Sequence, residues 1–439
     1  MNRCVHRLLL VLFVCSSCII HHSSFASDDL KDREIKLLRL RLDRAQNQLA
    51  DARIKRLVFE TQLQVAAMRS FLVKEPVEYA ELTPAVLNWI VDDSVKKQYP
   101  GHRLDLYIWF NVLMGAMPDG IDLPRYLKDL MGEQAAGIYH PGTKKLYVST
   151  NFDLERPLGR MVLAHEISHA MQDQDYDLRR MGVEDIENDD RALAALAVAE
   201  GDATLLMSEY VSRYGNPVTM MMDIPRMLLI DQSKFEQAPV AIQQIVLFPY
   251  LEGMKFFQAL AGRTRQNPKA PADWTVGMDS AWRGSIFQDP PETTEQIIHP
   301  DKYLAREMPA TIEPFKPSGK GAFGQNVFGE FGIRTLLEPS VGREQAVRAA
   351  AGWNGDRILL ALDEAGDHAF SWTTKWDTEA DAEEFAQAMA QAMEARVEGL
   401  KLSRDGNEWS GKTERDRVTI KMTKAEVVVE GTFGKPGKK

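Results

Sequence analysis

The chain has 439 residues, 44% hydrophobic and 26% charged, proportions that fit a soluble globular protein and exclude a disordered or fibrous one. Its formal net charge of −10, with no long basic run, argues against a nucleic-acid partner. The three cysteines, Cys4, Cys15 and Cys18, all stand near the N-terminus, so a chain cleaved after residue 26 would have no disulfide, thiol nucleophile or cysteine-held metal.

The opening stretch MNRCVHRLLLVLFVCSSCIIHHSSFAS reads as a targeting segment. Arg3 and Arg7 precede an apolar run, and Ser24-Phe25-Ala26 offers a small-x-small cleavage site. The expectation is a signal peptide over residues 1–26 and export to the periplasm or the cell exterior. The alternatives are an N-terminal membrane anchor that stays attached, or lipid attachment at Cys18, where Cys15 stands in place of the usual leucine three residues earlier. From Asp28 to about Ser70 the chain is charged and free of Gly and Pro. Ile35, Leu38, Leu42, Ala45, Leu49 and Ala52 follow the 3-4 spacing of a coiled-coil seam until Arg56 breaks it. Residues 27–75 are therefore expected to hold one long helix. It would either lie on the body or join chains into a homo-oligomer through residues 30–56.

A main domain is expected over residues 76–345. Thr83-Pro84 starts a helix by an N-cap and an N1 proline. GIYHPGTKKLYVST, from Gly137 to Thr150, reads as a hairpin turning at Pro141-Gly142. Helices follow at Pro157 to about Asp177, Asp189 to Tyr214 and Val240 to Leu260, then a proline-rich connection at Asp289-Pro290-Pro291. Residues 346–433 are expected to form a small α+β module. RILLALDE and HAFSWTTKW would be paired strands, Thr378 to Val397 a helix, and Val418–Thr423 and Ala425–Gly431 two more strands. Residues 434–439 read as a disordered tail.

The chemistry centres on AHEISHAMQDQ, Ala164 to Gln174. Residues four apart on a helix share a face, so His165 and His169 can present their imidazoles to one cation. Glu166 beside them can act as general base toward a metal-bound water. A catalytic zinc usually takes a third protein ligand and keeps one position open. In VAEGDATLL, Glu200 on the next helix supplies it, and Gly201 and Ala203 would let the two helices approach closely. Asp202 competes, but two residues further along a helix it faces about 200° away. Asp173, four residues after His169, is placed to orient that imidazole, although a solvated helix end is an equal reading.

HEISHAMQDQ followed by AEGDAT resembles the gluzincin arrangement of zinc metallopeptidases. The chain is also similar to a largely uncharacterised group of exported bacterial and archaeal metallopeptidase-like proteins. They share these two motifs and the segments that stand here as PPETTEQIIHP (Pro290 to Pro300) and GWNGDR (Gly352 to Arg357). The departure is Thr293, where a small or basic residue is expected, and the resemblance spans about Gly137 to Phe385. It implies a mainly helical zincin-like domain with an edge hairpin. Its zinc ligands would be His165, His169 and Glu200, holding one Zn2+ per chain, with Glu166 as base. It further implies an edge strand, best placed in GIYHPGTKKLYV, that pairs with peptide substrate. A hydrolase of this type needs a donor for the oxyanion. His299 is the first choice and Tyr250 or Tyr303 the alternatives.

The other singled-out residues have plainer readings. His140 is a turn residue or a substrate contact, His102 and His368 are surface residues, Trp353 and Arg357 pack and bridge, and Met220-Met221-Met222 is core or, second, a loop against an apolar substrate. The expected function is that of an exported zinc-dependent metallopeptidase acting on a peptide or protein substrate. The alternatives are a catalytically inactive gluzincin-like scaffold of the cell envelope, or a zinc hydrolase of another carbonyl substrate.

Overall fold

The computed structural model describes residues 28–69, 71–134, 136–149, 153–216, 218–219, 233–265, 280–313 and 321–434. The expected signal peptide, the methionine cluster at 220–222 and residues 435–439 of the tail lie outside the described residues. By contact the chain divides into Met1–Leu57 and Val58–Lys439.

Helix α1 runs from Asp28 to Arg69. In its first part the seam residues Leu38, Leu42 and Leu49 are 52%, 54% and 63% exposed. From Val58 onward its character changes, and Val58, Thr61, Gln62, Val65, Ala66 and Arg69 are buried.

In the larger unit, β1 (Glu78–Glu81) leads into α2 (Pro84–Gln98), where the Thr83 hydroxyl accepts from Val86 N–H and Pro84 opens the first turn. After α3 (Arg103–Met114) and α4 (Leu123–Gln134) comes the hairpin of β2 (Gly137–His140) and β3 (Lys145–Val148). β1, which four residues of EYAE leave unmarked by any hydrophobic alternation, adds parallel to β3. The order β1-β3-β2 puts β2 at an edge.

The helices α5 (Pro157–Tyr176), α6 (Asp189–Tyr214) and α7 (Val240–Arg265) form the centre of the body, followed by α8 (Ser280–Gln288), α9 (Thr294–Ile298) and α10 (Pro300–Leu304). Pro157 opens α5 at its first turn, and the Asn188 side chain caps α6 by accepting from Arg191 N–H. Gly201 of α6 was expected to admit α5. It meets α7 instead: a Cβ there would lie 2.3 Å from the Gly253 carbonyl carbon, and one on Gly253 would lie 2.1 Å from Ala197 O. Two glycines thus let the α6 and α7 backbones touch.

The C-terminal part contains β4 (Gly321–Asn326), α11 (Gly329–Val341), α12 (Arg343–Ala350), β5 (Trp353–Asp363), β6 (His368–Trp376), α13 (Glu379–Arg396), β7 (Ser403–Asp405), β8 (Glu408–Lys412), β9 (Asp416–Thr423) and β10 (Glu426–Phe433). The strands make one antiparallel sheet in the order β4-β5-β6-β10-β9-β8-β7. A capping box between Thr378 and Asp381 starts α13. The fold is α+β.

The expected boundary at residue 346 does not mark a break in packing. β4, a GAFGQN segment whose glycines and lack of alternation hide it in the sequence, already belongs to the sheet. The core is also shared, because Phe110 of α3 packs on Phe328, Phe370 and Trp372. At this junction Asp356, in the GWNGDR segment, accepts four N–H groups: Phe328 and Gly329 backbone at 3.0 and 2.9 Å, and the Trp353 and Trp372 indoles at 3.0 and 2.9 Å. The PPETTEQIIHP segment braces the same region, with Thr294 donating through N–H and hydroxyl to Asp190 at the start of α6. No described helix is long and apolar enough to cross a membrane.

Candidate metal centre

Helix geometry places His165 and His169 one turn apart on the face of α5 that meets α6, and α6 brings Glu200 between them. His165 Nε2 lies 3.0 Å from Glu200 Oε2, His169 Nε2 lies 3.3 Å from the same oxygen, and the two Nε2 atoms are 3.2 Å apart. A tetrahedral zinc with bonds of 2.0–2.1 Å has ligand-to-ligand edges of about 3.3–3.4 Å. The three donor atoms therefore already stand at nearly the separation that one ion requires. Two imidazoles and a carboxylate are also a donor set that zinc accepts, and this group could hold a metal ion. Other divalent metals take the same donors, so the set alone does not select zinc.

Electrostatics knit the cluster. Burial works against charge on His169, but Glu200 and Glu166 outweigh it and raise its pKa to about 9. Burial likewise opposes charge on Glu200, yet the two imidazoles hold its carboxyl far below the usual range. Glu166 is pushed up by burial, and its Oε2 accepts from Tyr139 N–H at 2.7 Å. That bond ties the expected base to the edge strand β2. A cleft of about 270 Å³ opens here, with His169, Glu200, Tyr139 and His140 on its wall, and Lys97, Arg179 and Glu184 lining it elsewhere. Ser94, Gln98, Val183 and Leu196 also line an adjoining chamber of about 360 Å³, walled mainly by Tyr99, Leu127, Leu193, Ile242, Ile245 and Phe331.

The three candidates for the oxyanion donor end up in different places. His299 caps α9 and pairs with Glu330 at 3.1 Å, a bond that raises its pKa. Tyr303 donates to Asp289 O and packs on Phe256. Tyr250 of α7 stacks on His165, with ring centroids 6.0 Å apart and planes 22° from parallel. Burial, followed by the Glu200 and Glu166 carboxylates, pushes its phenol well above its ordinary value. The first choice drawn from the sequence, His299, is thus committed to Glu330, while the alternative Tyr250 stands over His165. The reason is tertiary: the Gly201–Gly253 crossing lays α7 against α6 and carries Tyr250, one turn before Gly253, to the site.

Asp173 does not orient His169. Its carboxylate accepts from Tyr139 Oη at 2.8 Å and Leu178 N–H at 3.0 Å. Gln172, one residue earlier, takes that place, with Oε1 at 3.0 Å from His169 Nδ1. Its only sequence signal was i+3 spacing inside QDQ. Asp202 is not a ligand and not solvated; it is 1% exposed and paired with Arg283 and Arg69. His140 bonds to Thr143 and packs on Trp89, His102 is exposed beside Asp105, and His368 stacks on Trp109 at 4.5 Å. Arg357 donates to Ile312 O, and Trp353 is buried.

No curated protein and no solved structure matches this chain. A family model described as Domain of unknown function (DUF8575) matches residues 314–433, the stretch of the seven-stranded sheet and its helices, and does not include His165, His169 or Glu200.

Proposed function

We propose that the chain is a zinc-dependent metallopeptidase of gluzincin type, with a zincin-like body, exported by its N-terminal segment. The observation that carries the reading is the convergence of His165, His169 and Glu200 to 3.0–3.3 Å of one another, with Glu166 beside them. These three residues would hold one zinc ion, which supplies Lewis acidity toward a carbonyl and acidifies a neighbouring water.

The chain's own groups would do the rest. Glu166 takes the proton of the attacking water and delivers it to the leaving amine. Tyr250, whose phenol stays protonated, donates to the oxygen that gains charge as the carbonyl is attacked. β2 offers its outer edge beside Glu166, so a substrate strand added there would run past the base. The adjoining apolar chamber supports a substrate with a large apolar side chain near the scissile bond. The exposed seam of α1 supports its use in pairing chains.

The test is cleavage of a peptide library by zinc-loaded wild type and Glu166→Gln. The expected result is cleavage that falls about 10²–10⁴-fold in the variant, with zinc content unchanged. Equal cleavage by both would remove Glu166 from the mechanism. Zinc bound by both with no cleavage by either would favour a scaffold.

A further inference from the structure

His169 faces the cluster through Nε2, and its other nitrogen, Nδ1, lies 3.0 Å from Gln172 Oε1. The far side of Gln172 decides which way its amide points. Its Nε2 is 3.1 Å from the Ala199 carbonyl and 3.0 Å from Asp202 Oδ2. A backbone carbonyl can only accept a hydrogen bond, and the Asp202 carboxylate is paired with two arginines, so the NH2 end of the amide must face them. Its oxygen then faces His169, and since that oxygen also only accepts, Nδ1 must carry the hydrogen. Nε2 is left as the nitrogen for a metal.

Asp202 is held in turn. Its carboxylate pairs with Arg283 and, at 3.4 Å, with Arg69, both nearly fully buried. Gln172 and Asp202 are 0% and 1% exposed. His165 has nothing comparable: its Nδ1 is buried and, among the described residues, has no hydrogen-bond partner. Orientation of the imidazole pair is therefore supplied on the His169 side.

We propose that Gln172 is a positioning residue of the metal centre: it fixes the Nδ1–H form and the ring orientation of His169, and Asp202 with its two arginines fixes Gln172. The inference rests on the reading of His165, His169 and Glu200 as metal ligands. It predicts that Gln172 governs how tightly the metal is held, by the 10–100-fold typical of groups that orient a ligand imidazole.

The experiment is zinc affinity by competition with a chromophoric chelator, with the thermal midpoint of the metal-free protein, on the full chain. Four proteins are compared: wild type, Gln172→Leu, Gln172→Glu and Asp356→Asn. Leucine removes the acceptor, so affinity should fall about 10–100-fold. Glutamate keeps an oxygen on Nδ1 but sets a carboxylate against Asp202, so affinity should stay within about threefold of wild type while the midpoint drops. Asp356→Asn should lower the midpoint and leave affinity unchanged, because it loosens the sheet junction only. Wild-type affinity in Gln172→Leu would overturn the inference, as would affinities that simply follow the midpoints across the variants. A wild type that takes up no zinc would defeat the metal-ligand reading itself, and the positioning role with it.

Discussion

Two carboxylates, the partly buried Glu200 in the helical centre and the buried Asp356 at the junction with the sheet, have opposite surroundings. Asp356 receives four N–H donors at 2.9–3.0 Å, so both oxygens are fully used. Among the described residues Glu200 receives no backbone donor; one oxygen faces two imidazole nitrogens that crowd the same point. Satisfied hydrogen bonding closes the first site and makes it architecture. Two imidazole nitrogens and a carboxylate oxygen that converge on one point make the second a candidate metal centre. Burial alone does not separate the two cases. What separates them is whether N–H donors answer each carboxylate oxygen in turn or the polar atoms of three side chains converge on one point.

Asp190 is the intermediate case. One oxygen accepts from Thr294 twice, and the other is buried without a partner among the described residues. Burial raises its pKa to about 8.

The largest effect expected within this comparison belongs to Tyr250. Tyr250→Phe should lower kcat by about 10²–10³, with KM little changed, in a steady-state assay on a cleaved peptide. His299→Gln should cause no comparable fall, and the reverse ranking would return the oxyanion role to His299. Next comes the closed site. Asp356→Asn should cost about 1–3 kcal/mol in chemical denaturation, since at least one indole or backbone N–H is orphaned. Loss of zinc affinity in the same variant would break the division drawn here.

A third effect is a slope. The folded-state pKa of Asp190 lies above its unfolded value, so the folded chain keeps a proton that the unfolded chain gives up. Its stabilising contribution is complete below about pH 4 and is lost as pH rises toward 8, by at most about 1.4 kcal/mol per pH unit. Asp190→Asn should flatten that part of the stability profile. An unchanged profile, measured by denaturation at several pH values, would show that Asp190 is charged in the fold.

Local signals carried far in this sequence. Pro157 and the acidic start at Asp189 mark the beginnings of α5 and α6 to the residue, because helix starts are written in caps and first-turn residues. The spacing of His165 and His169 puts both on one face with no help from the rest of the chain. What stayed hidden depends on distant contacts. Tyr250 reaches His165 only through the Gly201–Gly253 crossing, so sequence reading ranked it behind His299. Gln172 and Asp173 differ by one position along α5, and the partners waiting at Tyr139 and Asp202 decide which turns toward His169. β4 has almost no pattern of its own and owes its place to pairing with β5.

The most direct test of the central claim is zinc per chain after equilibrium dialysis, measured by elemental analysis on wild type and on Glu200→Gln. The expected result is close to one zinc per wild-type chain and affinity more than about 100-fold weaker in the variant, beyond what loss of an orienting group causes. Equal zinc in both, or none in wild type, would contradict the assignment of His165, His169 and Glu200 as a metal centre.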